Sequence, residues 1–340
     1  MSEKTLDLSV VIPVYKTFTF LEEAIRSCCS DTLQVETIVV EDGPSEGLAT
    51  AIEVLRQRYE GQVQIRLVQL PENKGTFLAR KAGALVAKGH YVTFLDSDDY
   101  FKEGAMDVIA KTIGEGAYDC ILYPFLYEKN NVVMPTSFAQ ALEGELITEY
   151  LLRCSQCCVW SSAGKIYANH VLADAYASFA AIDERLVFSE DWLLLIGALR
   201  YVKTFRCINE WLYFYRNNAV SAMNQAASVK SFHLKQLKAV TARVRALYKD
   251  VVKTVKEPIA DEAAKHQLMA YEQMCHRTLY LLDAEQVAVR CNYQETMLYK
   301  ILLKRVYLKY YGFELQRKRI ARVKRAWKRL QVACGRTTKG

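Results

Sequence analysis

No window of this 340-residue chain approaches the ~18 consecutive apolar residues that a helix needs to cross a bilayer, which argues against a helical membrane protein. Residues 1–6 are polar and lack the apolar middle of a secretory signal, so the expected compartment is the cytosol. No G-x-G-x-x-G follows the first β-branched run and no G-x-x-x-x-G-K-[ST] occurs anywhere, which argues against a dinucleotide site and a P-loop. Ten cysteines are present, but they are scattered along a large chain, and reduced thiols are expected. Cys154, Cys157 and Cys158 have C-x-x-C spacing, yet no second pair of similar spacing completes a tetrahedral zinc site.

What is there is a globular chain, 51% hydrophobic and long enough for two domains. The net charge of +7 is unevenly placed: residues 300–340 hold 14 Lys and Arg against Glu314, a net +13, which leaves −6 for residues 1–299. An anionic partner would be met by the C-terminal part. That part has an apolar strip at Phe313, Ile320, Val323, Trp327 and Leu330 set among basic residues, the pattern of a basic amphipathic helix, with no repeat or low-complexity tract beside it.

Over the first hundred residues, short apolar runs alternate with helical periodicity. Strands are predicted at 8–14, 35–41, 63–70 and 91–95, with helices at 18–30, 48–59 and 76–87 between them. Such alternation implies right-handed crossovers and a mainly parallel sheet covered on both faces, an α/β fold. Beyond it the pattern predicts a helix at 105–113, a strand at 119–127 with a hairpin partner at 132–136, and a helix at 146–154. It also predicts a helix opening at Glu190 and a strand at 205–216 broken near Glu210. Residues 159–167 mix aromatic, small and basic types and give no clear assignment. From about residue 226 the periodicity is helical, with Pro258 as the clearest break, so the expected domains are 1–224 and a helical region, 225–340.

Residues 91–99 are the chemically densest stretch, because a buried run through Val92, Phe94 and Leu95 ends in Asp96, Asp98 and Asp99. A buried strand cannot run into unpaired acids without a large desolvation cost, so the acids must lie at its mouth. Alone, the stretch fits two readings. Asp96 and Asp98 could supply hard oxygen ligands to Mg²⁺ or Mn²⁺, or the acids could form a solvated turn with Asp99 capping a helix that begins near Phe101. Polar insertions follow every one of the four strands: Tyr15 and Lys16, Glu41 and Asp42, Asn73 and Lys74, Asp96 and Asp98. Ligands of open α/β sheets bind beyond the carboxyl ends of the strands, which favours a site over four unrelated turns.

Five of these stretches together resemble a known family, the inverting glycosyltransferases of family 2, which have the GT-A fold. They are 9–15 (with Pro13 and Tyr15), 39–43 (with Glu41 and Asp42), 73–80 (with Lys74 and Arg80), 94–99 (with Asp96, Ser97 and Asp98), and 189–191 (with Glu190 and Asp191). They occur in the family's order and cover roughly residues 8–221. The resemblance implies a GT-A Rossmann-like, mainly parallel sheet flanked by helices. It also implies a donor site in which Tyr15 lies against uracil, Asp42 and Glu41 accept hydrogen bonds from the base or ribose, and Lys74 and Arg80 face ribose and phosphate. Pro13 and Ser97 belong to the same donor stretches. Asp98 would be the direct ligand of Mn²⁺ or Mg²⁺, with Asp96 reaching the ribose or a metal-bound water. Asp191 would be the general base, taking the proton of the acceptor hydroxyl. Glu190 and Trp192 would line the acceptor side, with Lys165 near it, and Arg216 and Ser221 match a late loop over the diphosphate. The family's usual acidic pair is two aspartates before Gly-Ser, whereas this chain has Glu41-Asp42-Gly43-Pro44, a departure at position 41.

The resemblance thus implies a metal-dependent hexosyltransferase using a UDP-sugar to extend a cell-surface glycan such as lipopolysaccharide or capsule. The basic C-terminal helix fits an enzyme at the cytoplasmic face of the membrane, where lipid-linked acceptors sit. A sugar-phosphate nucleotidyltransferase would need a glycine-rich loop after the first strand, and Pro13-Val14-Tyr15-Lys16 has none. A non-catalytic nucleic-acid-binding protein using the basic tail would leave the acidic rim unexplained, and no nucleic-acid partner is expected. A degenerate glycan-binding scaffold is distinguished by whether Asp191 and Asp98 remain, and both do.

Overall fold

The computed structural model describes residues 5–16, 18–129, 132–135, 140–153, 160–217 and 230–290. The chain falls into two compact units, Met1–Asn224 and Gln225–Gly340.

The first unit is built on a seven-stranded sheet. Its strands are β1 (Leu8–Val14), β2 (Val35–Asp42), β3 (Gln64–Leu70), β4 (Tyr91–Phe94), β6 (Cys120–Leu122), β9 (Lys165–Ala168) and β10 (Phe205–Cys207). They lie in the order β10-β6-β9-β4-β1-β2-β3. Strands β1 to β4 run parallel, and β9 alone is antiparallel to its neighbours β4 and β6. Every residue of β2 is buried, as a strand covered on both faces requires. The acid near its start, Glu36, is satisfied by the Ser9 hydroxyl (2.6 Å), Arg66 (2.8 Å) and the Lys88 N–H (2.6 Å).

The helices α1 (Leu21–Arg26), α2 (Leu48–Arg58) and α3 (Thr76–Leu85) fill the crossovers. They are followed by α4 (Ala105–Glu115), α5 (Ile147–Arg153), α6 (Asn169–Ala177) and α7 (Glu190–Leu199). The apolar spacing of residues 18–30 predicts a longer helix than α1. Cys28 and Cys29 leave it through i−3 bonds to the Ile25 and Arg26 carbonyls, and the Ser27 hydroxyl is drawn to the Phe101 N–H (3.0 Å).

A second sheet has four strands, β5 (Tyr100–Phe101), β7 (Phe125–Lys129), β8 (Val132–Pro135) and β11 (Tyr213–Tyr215), in the order β5-β11-β7-β8. It explains three differences from the sequence pattern. The strand expected over 119–127 is two strands in different sheets, because Pro124 cannot continue the ladder as a donor and the chain changes sheet there. The strand expected over 205–216 divides the same way into β10 and β11. The helix placed near Phe101 begins at Ala105, since Tyr100 and Phe101 pair with β11 instead.

The second unit contains α8 (Lys230–Lys256) and α9 (Glu262–Arg290), separated by a turn that contains Pro258. Leu237, Val240, Val244 and Val251 of α8 are buried at the spacing of a helix seam, as are Met274, Leu281 and Leu282 of α9. Gln286 donates to Thr241 across that seam (2.9 Å). Asp261 caps α9 through the Ala263 N–H (2.9 Å). Among the described residues no helix is long and apolar enough to cross a membrane. The basic segment 300–340 and the cysteines 154, 157 and 158 lie outside the described residues.

Candidate active site

The carboxyl ends of β1, β2 and β4 open on one rim, as their parallel pairing requires. At the end of β2, Gly43 has φ +90°, and a Cβ there would lie 2.7 Å from the Asn73 nitrogen. Only glycine lets the 73–75 loop settle on the strand end. The Asp42 carboxylate, 4% exposed, consequently accepts the N–H groups of Lys74 (2.6 Å) and Gly75 (2.9 Å to one oxygen, 3.2 Å to the other). Burial raises its pKa, and those two N–H groups oppose the rise. Glu41 is tied in the same way, by the Ser45 N–H (2.5 Å) and the Gln69 amide (2.7 Å). A base or ribose meeting this pair would share carboxylates already engaged with the protein.

Gly75 performs a second approach. Its φ is +85°, and a Cβ would lie 2.6 Å from the Leu186 carbonyl oxygen, which accepts the Phe77 N–H at 3.2 Å. The start of α3 is thereby fastened to the segment that leads into α7. Ser189, with φ 59°, turns the chain into α7 and sets Glu190 and Asp191 in the first helical turn. Arg80, one turn into α3, meets both of them.

Arg80 is 5% exposed and joins three acids. Nη1 donates to Asp191 (2.7 Å) and Glu190 (3.1 Å), and Nη2 donates to Asp96 (2.8 Å). Burial opposes the charge on Arg80, but Asp191, Asp96 and Glu190 outweigh it and keep the guanidinium protonated. Three carboxylates share one cation, so the network carries an excess of acid. Glu190 is the most buried of the three, and burial, followed by the charge of Asp191, raises its pKa well above the carboxylate range against the pull of Arg80. The network binds residues from α3, α7 and the end of β4 that sequence spacing alone could not bring together.

Asp99 is 2% exposed and belongs to the framework. It accepts the Tyr213 hydroxyl (2.5 Å) and the Arg216 N–H (2.8 Å), so it fastens the second sheet to the rim rather than capping a helix. Burial raises its pKa, reinforced by the charges of Asp96 and Asp98. Asp96, Ser97 and Asp98 are half-buried. Asp96 and Asp98 suit a hard divalent cation: two carboxylates one residue apart at a rim whose charge already presses on Asp99. Among the described residues no group of three or more His, Cys, Asp or Glu is arranged to hold a metal by itself, so such a cation would need oxygens from its ligand.

The remaining predicted residues are less closely gathered. Tyr15 is 44% exposed at the end of β1, with the Lys16 ammonium 5.1 Å from its ring centroid, and Pro13 pairs within the sheet opposite Val40. Lys74 directs its ammonium to Glu72 (2.5 Å). Arg216 is held by Glu23 (2.6 Å) and the Asp98 carbonyl (2.9 Å), and it lies 4.3 Å from the Phe20 ring centroid. Lys165 is buried in β9, its ammonium on the Ser161 carbonyl. Trp192 is buried and stacks on Trp160, with centroids 5.0 Å apart and planes at 15°. Ser221 lies outside the described residues. Two residues of this neighbourhood carry no sequence signal: Trp160 and Ser162, whose hydroxyl donates to Asp191.

The family model described as Glycosyl transferase family 2 matches residues 9–148. The "Uncharacterized glycosyltransferase EpsJ" of Bacillus subtilis (strain 168) is 27% identical over 217 residues, 62% of this chain and 61% of the relative. The "Minor teichoic acid biosynthesis protein GgaB" of the same organism is 26% identical over 248 residues, 68% of this chain and 26% of the relative. The chain therefore spans less than two thirds of the length of either curated relative. Among solved structures, S. aureus TarS 1-349 in complex with UDP-GlcNAc superposes with a TM-score of 0.58 at 18% identity, covering 90% of this chain and 89% of that one, a likeness of fold. The matched segment carries β1 to β4 and the Asp96–Asp99 rim, so it is the site-bearing part of the chain that is similar to glycosyltransferase family 2, and the fold around it is the GT-A fold.

Proposed function

We propose that the protein is an inverting glycosyltransferase that moves a hexosyl group from a UDP-sugar to a hydroxyl of a growing cell-surface glycan. The observation that carries this reading is the Arg80 network. It ties Asp96, on the donor side of the rim, to Asp191, in the first turn of α7, within one hydrogen-bonded unit. Inversion by direct displacement needs that adjacency. Asp191 takes the proton of the acceptor hydroxyl, the acceptor oxygen bonds to the anomeric carbon, and the bond from that carbon to the diphosphate oxygen breaks from the opposite face. The electron pair of the broken bond leaves with UDP. Asp98 and Asp96 would hold Mn²⁺ or Mg²⁺, which when bound neutralises charge on the diphosphate leaving group.

Tyr15, exposed at the end of β1, offers a ring for the uracil face, with Asp42 and Glu41 at the end of the neighbouring strand. The acceptor is assigned to the cell-surface class, lipopolysaccharide, capsule or a comparable polymer. The names of the teichoic-acid relative and of TarS, poly(ribitol-phosphate) beta-N-acetylglucosaminyltransferase, support that class. The basic segment 300–340 would meet anionic lipid at the inner membrane face. Truncation after residue 298 should lower binding to anionic vesicles, and equal binding by a folded truncated protein would remove the membrane role.

The donor is tested by melting the protein with a panel of UDP-sugars, with and without Mn²⁺. Stabilisation rises with ligand affinity, so the donor is the sugar that raises Tm most, and more with the metal than without it. No shift with any UDP-sugar would refute the donor assignment.

A further inference from the structure

We propose that Ser162 is the positioning residue of the base, holding Asp191 so that one carboxylate oxygen alone faces the acceptor. The inference rests on Asp191 being the base. A carboxylate turns about Cβ–Cγ in a broad two-fold well, so an aspartate that must accept a proton along one direction has to be fixed from outside. Here both donors converge on the same oxygen: Arg80 Nη1 reaches Oδ1 at 2.7 Å, and the Ser162 hydroxyl donates to Oδ1 as well. Among the described residues nothing donates to Oδ2, and the Asp191 side chain remains 26% exposed. One oxygen is anchored, and the other is left to the acceptor.

Ser162 is fixed independently of the base. It is 3% exposed. On one side Trp160 stacks on Trp192 at 5.0 Å. On the other the Lys165 ammonium takes the Ser161 carbonyl, and the Gly164 carbonyl accepts the Tyr123 N–H at 3.0 Å. Residue 165 then enters β9, between β4 and β6. The hydroxyl is therefore presented by the sheet, and it keeps its own proton throughout the transfer. Arg80 and Ser162 divide the work: the guanidinium supplies charge and couples Asp191 to Asp96, and the neutral hydroxyl sets the rotation without adding charge to the acceptor side.

The test compares wild type, Ser162→Ala, Ser162→Thr and Asp191→Asn. The donor is the UDP-sugar that gives the largest thermal shift, supplied with Mn²⁺. Water serves as acceptor, and UDP release is read. Loss of a hydrogen bond to a charged group should lower kcat roughly 10- to 100-fold in Ser162→Ala while the donor KM stays within about two-fold. Ser162→Thr, which keeps the hydroxyl, should recover most of the rate. In an Asp191→Asn background, Ser162→Ala should cause no further loss. Wild-type kcat in Ser162→Ala overturns the inference, and so does an equal loss in the Ala and Thr variants accompanied by a raised donor KM. If Ser162→Ala does not fold, Ser162→Cys provides the same comparison with a weak donor. UDP release at the wild-type rate by Asp191→Asn would instead remove the base assignment, an outcome distinct from an inactive Asp191→Asn beside an unimpaired Ser162→Ala.

Discussion

Arg80 and Asp191, 111 residues apart in the chain, are joined by a 2.7 Å ion pair made from a side chain that is almost entirely buried. The same guanidinium reaches Asp96 and Glu190, so its planar fork spans distances that an ammonium cannot. Arg80→Lys preserves the charge but can serve only part of the set. Transfer should fall by about 10²-fold or more, with a loss of stability, because at least one buried carboxylate is left without its partner. The measurement is kcat/KM together with urea unfolding, and an Arg80→Lys enzyme of wild-type rate would show that the bridge is not needed.

The excess acid of this network also makes stability depend on pH. Glu190 has its pKa raised by burial and by Asp191, so the folded protein holds a proton there that the unfolded chain releases near the ordinary carboxylate value. The stability that this proton carries is present at acid pH and is lost as pH rises towards the folded pKa. Glu190→Gln mimics the protonated form. Its melting temperature should match or exceed that of wild type near neutrality, and the gap should widen as pH rises from the ordinary carboxylate range to the folded pKa of about 8 and then level off. A gap that narrows from about pH 5 to about pH 8 would mean that Glu190 is ionised in the folded state.

Much of this was legible in the sequence, and the reasons for the rest are physical. The parallel core could be read because β1 and β2 are continuous β-branched runs with turn residues at their ends, and α7 because its acids open an apolar stretch. The Asp96–Asp99 rim could be read because a buried strand cannot absorb three acids. The second sheet could not. Its strands are short, and its assembly depends on the break at Pro124 and on setting Phe125 opposite Tyr213, residues far apart in the chain that only the fold brings together. Strand β9 was equally hidden, since Lys165 is a charged residue in the middle of a sheet, tolerated because its ammonium finds the Ser161 carbonyl. Ser162 had no signal at all, because one serine before a strand has no periodicity and its partner is 29 residues away.

The Tyr213 hydroxyl links the two sheets to the rim, donating to Asp99 (2.5 Å) and accepting the Asp96 N–H (3.3 Å). Tyr213→Phe leaves Asp99 buried with one partner fewer, which should cost about 1–3 kcal/mol in urea unfolding. Donor-induced stabilisation should also weaken, since Asp96 loses a backbone anchor. Unchanged stability would mean that Asp99 finds another donor when the hydroxyl is removed.

Asp98 is the residue on which metal dependence should turn. It sits half-buried beside Asp96 and Asp99, and its charge, with that of Asp96, opposes ionisation of the buried Asp99. Asp98→Asn removes the carboxylate proposed to hold the metal but keeps the backbone carbonyl that accepts Arg216 Nε at 2.9 Å, so the loop retains that anchor. The variant should melt close to wild type without ligands. The additional stabilisation that Mn²⁺ confers in the presence of a UDP-sugar should disappear, and transfer should fall by about 10²-fold or more, as expected when charge on a leaving diphosphate is no longer neutralised. Thermal shifts measured with UDP-sugar alone, Mn²⁺ alone and both together separate the effects. A variant that keeps the full joint shift would move the metal ligand away from Asp98, whereas one that loses the shift with UDP-sugar alone would place Asp98 in contact with the donor itself.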